Sequence, residues 1–346
     1  WGGWVGAGAA REPGGGARGE REARRCPGNV GKEGRETVKP FKLIQPTNEN
    51  EALQARSSDG SEYMAAGTDL LNRIKEHVAS PETVVDLKKI SGLDQIESDD
   101  RGIWLGAMVR MSEVSGHPEI QRRFPAVATT VGHAATPQIR NMATVAGNIC
   151  QKARCWYLRH EGYPCIKNGG TGCWARDGEN EFHAIFDNQI CSATQPSNLA
   201  PVLVAHDAII EVQGQDGVKE IAAGDFFTGP SENPQLEVKL SAGEIVRRIL
   251  LPAETETSLW AYEEAREKQS FDWAQASVTI LLDRGGRKGD HRVILGAVSP
   301  APLRREDMEK KLNGSEDEAT QAALIAGEGA TPLSQNGYKV PMLQGL

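Results

Sequence analysis

Cysteine is scarce in this chain, with six in 346 residues. That is too few for the disulfide framework of a secreted protein, so a reducing, cytoplasmic compartment is expected. No run of about 18 apolar residues occurs, which excludes an ordinary transmembrane helix, and no membrane partner is expected. Residues 1–36 hold no apolar core of the kind a secretory signal needs. An excess of basic charge is also missing. Lys and Arg total 39 against 47 Asp and Glu, a formal net charge of −8, so a nucleic-acid partner is not expected. A dinucleotide fingerprint of the G-x-G-x-x-G type, a P-loop and a hydrolytic triad are all lacking.

What cysteine there is lies mostly in one place. Cys155, Cys165, Cys173 and Cys191 follow one another as C-x9-C-x7-C-x17-C in a glycine-rich stretch, with Cys26 and Cys150 outside it. Structural zinc usually closes over pairs spaced C-x2–4-C, and no such pair exists here. The wide gaps fit a loop wrapped around a bulkier group, so a [4Fe–4S] cluster is expected and structural zinc is the alternative. Trp156, Tyr157 and Trp174 can shield such a group from water. His160 and His183 lie within the loop, but four thiolates already complete the set. Cys150 reads as a small buried hydrophobe.

Hydrophobic residues make up 39% and charged residues 25%, values of a globular protein long enough for two or three domains. Residues 1–37 are Gly- and Arg-rich without any period and read as a disordered tail or a mis-called start. From Val38 strands and helices alternate irregularly, which predicts an α+β fold. Strands are expected at 41–44, 84–87, 102–106, 208–212, 244–251, 274–282 and 292–298. Helices are expected at 48–56, with Thr47 as cap, at 70–74, 199–205 and 316–326, with Ser315 as cap. Residues 113–133 have helical periodicity broken at Pro118 and Pro125. The polar segment 253–258 marks a boundary between a domain at 38–253, with the cysteine insertion at 150–192, and another at 257–346.

Two small-residue turns precede the cysteines. Ala65-Ala66-Gly67-Thr68-Asp69-Leu70 joins a strand to a helix, where bare backbone amides and a helix N-terminus suit a pyrophosphate. Thr144-Val145-Ala146-Gly147-Asn148 is the second, and the pair suits one extended dinucleotide. Each is also compatible with a plain tight turn. Asp272 has no base or nucleophile spaced to work with it and reads as structural.

Taken with Gln138 to Asn148, Pro196 to Pro201, Ser270 to Trp273, Val293 to Val298 and Pro332 to Lys339, these turns make the chain resemble a known family. It is similar, over residues 40–346, to the FAD-binding medium subunits of the molybdenum hydroxylases, the xanthine dehydrogenase and carbon monoxide dehydrogenase family. The resemblance implies a two-part FAD-binding domain of the vanillyl-alcohol-oxidase-like (PCMH) type, then a smaller α+β C-terminal domain. The cysteine insertion resembles that of 4-hydroxybenzoyl-CoA reductase and periplasmic-type aldehyde oxidoreductases. This implies a [4Fe–4S] cluster on Cys155, Cys165, Cys173 and Cys191, and leaves the periplasm open if a partner exports the folded complex. It further implies FAD contacts from both turns, from Asn198, where the family often has Asp, and from Val246. The implied partners are a large molybdopterin-binding subunit, a small subunit with two [2Fe–2S] clusters, and a ferredoxin-like or NAD acceptor. Three departures stand out: alanine replaces one glycine of each usual pair (Ala66, Ala146), Asn198 lacks a charge, and Glu264 stands where a lysine is common.

Overall fold

Three sheets carry the chain in a computed structural model that describes residues 38–56, 60–256, 259–267, 271–312 and 315–346. The expected tail with Cys26, and Ser258 and Ser270 among the residues singled out above, lie outside the described residues. The first sheet is small and parallel: β1 (Lys42–Ile44), β2 (Ser61–Met64) and β3 (Thr83–Asp86), in the order β1-β3-β2. Val84 and Val85 of its central strand are both fully buried, as a parallel strand covered on two faces requires. At the entry to the helix Glu49–Arg56 the capping acceptor is Asn48, whose Oδ1 takes the Glu51 amide at 3.0 Å, while Thr47 bonds the Glu51 carboxylate.

The second sheet is antiparallel and comprises β4 (Ile96–Ser98), β5 (Gly102–Gly106), β6 (Ile209–Gly214), β7 (Gly217–Ala222) and β8 (Ile245–Pro252), in the order β4-β5-β8-β6-β7. Its inner face packs on helices Met111–Gly116, Pro125–His133 and Leu199–Ala205 to form the main core. The breaks expected at Pro118 and Pro125 are starts of fresh helices with proline in the first turn. Proline is tolerated there because its missing N–H has no intrahelical acceptor anyway.

The third sheet, β9 (Leu259–Ala265), β10 (Ala276–Leu282), β11 (Arg292–Gly296) and β12 (Leu303–Arg304), is an antiparallel meander. Helices Glu316–Leu324 and Lys339–Gly345 supply its hydrophobic cover, together with Ile185 and Phe186 from the cysteine insertion. Ser315 caps the first of these helices in a capping box with Glu318. Strands and helices therefore segregate into an α+β arrangement. Among the described residues no helix is long and apolar enough to cross a membrane.

One core contact makes stability depend on pH. His206 is fully buried, packs edge-on against Phe124 at 5.3 Å and uses Nδ1 toward the Thr255 carbonyl at 3.1 Å. Burial pushes its pKa down to about 4 from 6.5. A depressed folded value means the unfolded chain takes up the proton first as pH falls. The stability from neutral His206 is thus complete above pH 6.5 and lost progressively toward pH 4. The loss amounts to about 3 kcal/mol. Urea midpoints measured at pH 7 and pH 4.5 should differ less in a His206→Phe variant than in the parent protein.

Candidate functional site

The first small-residue turn leaves β2 and enters the helix Leu70–Lys75. Gly67 has φ +81°, a left-handed conformation that side chains resist, and a Cβ there would sit 2.8 Å from Leu71 Cδ1. Ala66 does not take a positive φ, so its extra methyl is tolerated. Among the described residues the amides of Ala66, Gly67, Thr68 and Asp69 have no protein acceptor. Uncommitted successive amides around a left-handed glycine have the chemistry that suits an anion.

Asp69 is placed differently from a ligand contact. Its carboxylate accepts from Arg159 at 2.7 Å and from the Lys152 amide at 3.1 Å, and pairs with Arg154 at 2.9 Å. Burial would raise its pKa, but the two guanidiniums outweigh it and hold the carboxyl below its usual range. The side chain therefore ties the turn to the head of the cysteine loop, and its backbone N–H is left uncommitted.

The second turn is the short helix Val145–Ile149, capped by Thr144, whose Oγ1 accepts from the Gly147 amide at 3.1 Å. Its amides are committed: Val145 donates to the Val109 carbonyl and Ala146 to that of Ala107. Val145 is fully buried and lies in the core rather than on the cleft. Ala146, like Ala66, keeps a negative φ. Gly147 is small for a different reason. A Cβ there would meet Thr144 Oγ1 at 2.9 Å and Ala65 Cβ at 3.8 Å, so the two turns abut at this point.

Two cavities open on either side of that junction and share Thr68, Asp69, Gly147 and Gln151. The larger, about 390 Å³, is bounded by residues 62–70, Thr144, Ala146, the segment 236–244 and Val246. The smaller, about 230 Å³, includes Asn148, Asn198, Arg154 and Trp273. Apart from Val145, every residue expected to touch the dinucleotide lines one of the two. Cys150 lines the larger cavity, and burial pushes its thiol up to about 12.

Glu264 does not present a bare negative charge to this cleft. It is buried, and its Oε1 pairs closely with Arg266. Oε2 accepts from Tyr262 Oη and Asn198 Nδ2, each at 2.9 Å.

The four clustered cysteines are neighbours in space. Cys165 and Cys191 are buried in one small apolar cluster, and Cys155 packs against it. Cys173 Sγ lies 3.7 Å from Ser192 Oγ, and the neighbouring Cys191 thiol and Ser192 backbone hold the Cys173 sulfur well below the ordinary thiol range. Burial pushes Cys155 up to about 12. Among the described residues no three His, Cys, Asp or Glu side chains close around a single-ion site. Of the expected shielding aromatics only Tyr157 is buried; Trp156 is 37% and Trp174 45% exposed. His183 is a contact that spacing did not reveal: its Nε2 lies 3.2 Å from Cys155 Sγ.

A sequence-family description, "FAD binding domain in molybdopterin dehydrogenase", matches residues 39–254. The chain is 31% identical over 293 residues to the FAD-binding subunit of an Escherichia coli aldehyde oxidoreductase, covering 84% of this chain and 90% of that one. It is 27% identical to the medium chain of carbon monoxide dehydrogenase from Hydrogenophaga pseudoflava, over 83% of this chain and 85% of the relative. Among solved structures, a chain of H. pseudoflava carbon monoxide dehydrogenase superposes with a TM-score of 0.69 at 23% identity, covering 89% and 95% of the two chains. A chain of quinoline 2-oxidoreductase from Pseudomonas putida 86 gives 0.68 at 21% identity, covering 90% and 95%. These superpositions establish the α+β fold.

Proposed function

Because the chain belongs to the family of FAD-binding subunits of molybdopterin-dependent oxidoreductases, we propose that its double cavity seats FAD, with the diphosphate on the amides of residues 66–69. The observation that carries this reading is the left-handed Gly67 turn, with its uncommitted amides, at the junction of the two cavities. The donor chemistry fits: amides for an anion, apolar walls for rings, and Asn148 and Asn198 for polar edges. Bound FAD exchanges electrons singly or in pairs, and this chain's residues anchor it and exclude competing groups. The organic substrate is assigned to a large molybdopterin-binding subunit, and electrons reach this chain from a small subunit with two [2Fe–2S] clusters. An NAD or ferredoxin-like acceptor takes them onward.

We also assign a [4Fe–4S] cluster to Cys155, Cys165, Cys173 and Cys191. The clustering of these thiols, with Cys165 and Cys191 buried in one apolar cluster and Cys155 packed against it, is what supports the assignment. The alternative of a non-catalytic scaffold, with structural zinc in the cysteine loop and a degenerate flavin site, is less favoured, because the two alanines and Glu264 that suggested degeneracy are accommodated by negative φ and by Arg266. The test is anaerobic purification with co-purifying subunits, followed by a visible spectrum and metal assay. Flavin bands with a broad iron–sulfur shoulder are expected; a colourless zinc protein overturns the reading.

Gly67→Ala should weaken FAD binding roughly tenfold, since a left-handed alanine costs about 1–2 kcal/mol before the Leu71 clash is relieved. Fluorescence titration of deflavinated protein measures it. Substitution of Gly116, which has open space around its Cβ position and no positive φ, is the control and should leave binding unchanged.

A further inference from the structure

Asn198 stands at the N-cap of the helix Leu199–Ala205, a position where asparagine normally caps with its own side chain. It does not do so here. Ser197 Oγ takes the Ala200 amide at 2.9 Å instead, which frees the Asn198 amide for another task. Its Nδ2 donates to Tyr262 Oη at 3.2 Å and to Glu264 Oε2 at 2.9 Å. The direction of these bonds is set by chemistry. An ionised Glu264 can only accept, Tyr262 gives its hydroxyl proton to that carboxylate, and the amide must therefore turn its N–H groups to both. Asn198 Oδ1 is left without a protein partner among the described residues, on a side chain that lines the smaller cavity. On the same cavity Asn148 Oδ1 is occupied by Ser197 Oγ at 2.5 Å, which leaves its Nδ2 as a donor.

We propose that Glu264 is a positioning residue that locks Asn198 with its carbonyl oxygen toward the flavin cavity, as a neutral hydrogen-bond acceptor. The negative charge sits one residue further out, on a carboxylate that Arg266 neutralises. The ligand edge that matches Asn198 is an N–H or O–H, and with Asn148 on the same cavity an imide edge bearing both N–H and C=O matches the two. This inference rests on the assignment of the cavity to FAD.

The test is a double-mutant cycle on the deflavinated full-length chain, with any subunits it purifies with, titrated with FAD. Asn198→Asp sets a second carboxylate against Glu264 and should weaken FAD binding by at least about tenfold. Adding Glu264→Gln should recover most of that loss because it removes the opposing charge, while Glu264→Gln alone should weaken binding a few-fold, since one amide oxygen cannot accept from both Arg266 and Asn198. A Glu264 that serves packing alone predicts additive losses, so a double variant as weak as Asn198→Asp overturns the proposal. So does an Asn198→Asp variant that binds like the parent. If Asn198→Asp does not fold, Glu264→Ala tests the same lock, with about a tenfold loss expected at an unchanged circular dichroism spectrum. Unchanged affinity in that variant refutes it. A parent protein that binds no FAD at all defeats the cavity assignment as well, a result distinct from normal binding without coupling.

Discussion

Replacing Glu237 by alanine is expected to lower the unfolding free energy by about 3–5 kcal/mol, the cost of stripping one partner from a buried ion pair. The carboxylate is 4% exposed and lies 2.6 Å from Lys152 Nζ and 3.2 Å from Lys167 Nζ; the Lys167 side chain is itself only 6% exposed. Burial alone would raise the Glu237 pKa, but the two lysines overcome it and hold the carboxyl low. Without Glu237, Lys167 keeps the Leu236 carbonyl at 3.1 Å and Lys152 that of Gln235 at 3.4 Å as hydrogen-bond partners among the described residues. Each ammonium group then loses its ion-pair partner. Because the folded pKa is depressed, the pair's contribution is complete above the carboxylate's unfolded pKa and fades as pH falls through the folded value. The parent-to-variant gap in urea midpoint should accordingly narrow in acid. A gap under about 1 kcal/mol at neutral pH would show that water reaches this pair.

Joint replacement of Cys165 and Cys191 by alanine should remove nearly all protein-bound iron while leaving FAD content close to that of the parent. These two thiols are the most buried of the four and belong to one apolar cluster, so alanine keeps most of the packing. Their loss removes half of the assigned ligands, and two thiolates do not hold a cluster of this kind. FAD should survive because neither residue lines the two cavities around the glycine turns. Cys150→Ala is the internal control: this thiol lines the larger cavity, its charged neighbours are Lys152 and Glu237, and iron should not change. Iron assay and low-temperature electron paramagnetic resonance distinguish the outcomes. Iron retained by the double variant would remove Cys165 and Cys191 from the ligand set.

Much of this architecture is legible from local pattern. The run of Val84 and Val85, the apolar-rich segments of β6 and β10, and the small residues around Gly67 each act over a few positions, and each lies close to where local pattern places it. The prolines at 118 and 125 mark helix starts for the same local reason. What pattern reading does not reach is partnership over distance. Nothing near Asp69 announces Arg154 and Arg159, and nothing near Glu237 announces Lys152 and Lys167. Glu264 looks like an intrusive charge until Arg266, Tyr262 and Asn198 are seen around it. Val145 shares a motif with cleft residues yet faces the core, because a helix distributes consecutive side chains around its axis.

The cysteine insertion is held from its far side by residues that come much later in the chain. Asn180 exchanges hydrogen bonds with Gln335 and Ser334, Asn188 bonds Thr331, and the carbonyls of Phe182 and His183 are taken by Lys339 and Asn336. These partners lie 143 to 157 positions apart. During translation the cysteines therefore leave the ribosome well before the residues that close their enclosure. At a synthesis rate of about 5–20 residues per second, the thiols wait on the order of ten seconds in an open loop. That interval is a window in which they are accessible both to delivery of iron and to oxidation. A nascent chain stalled before Thr331 should consequently alkylate at these cysteines far faster than the finished protein.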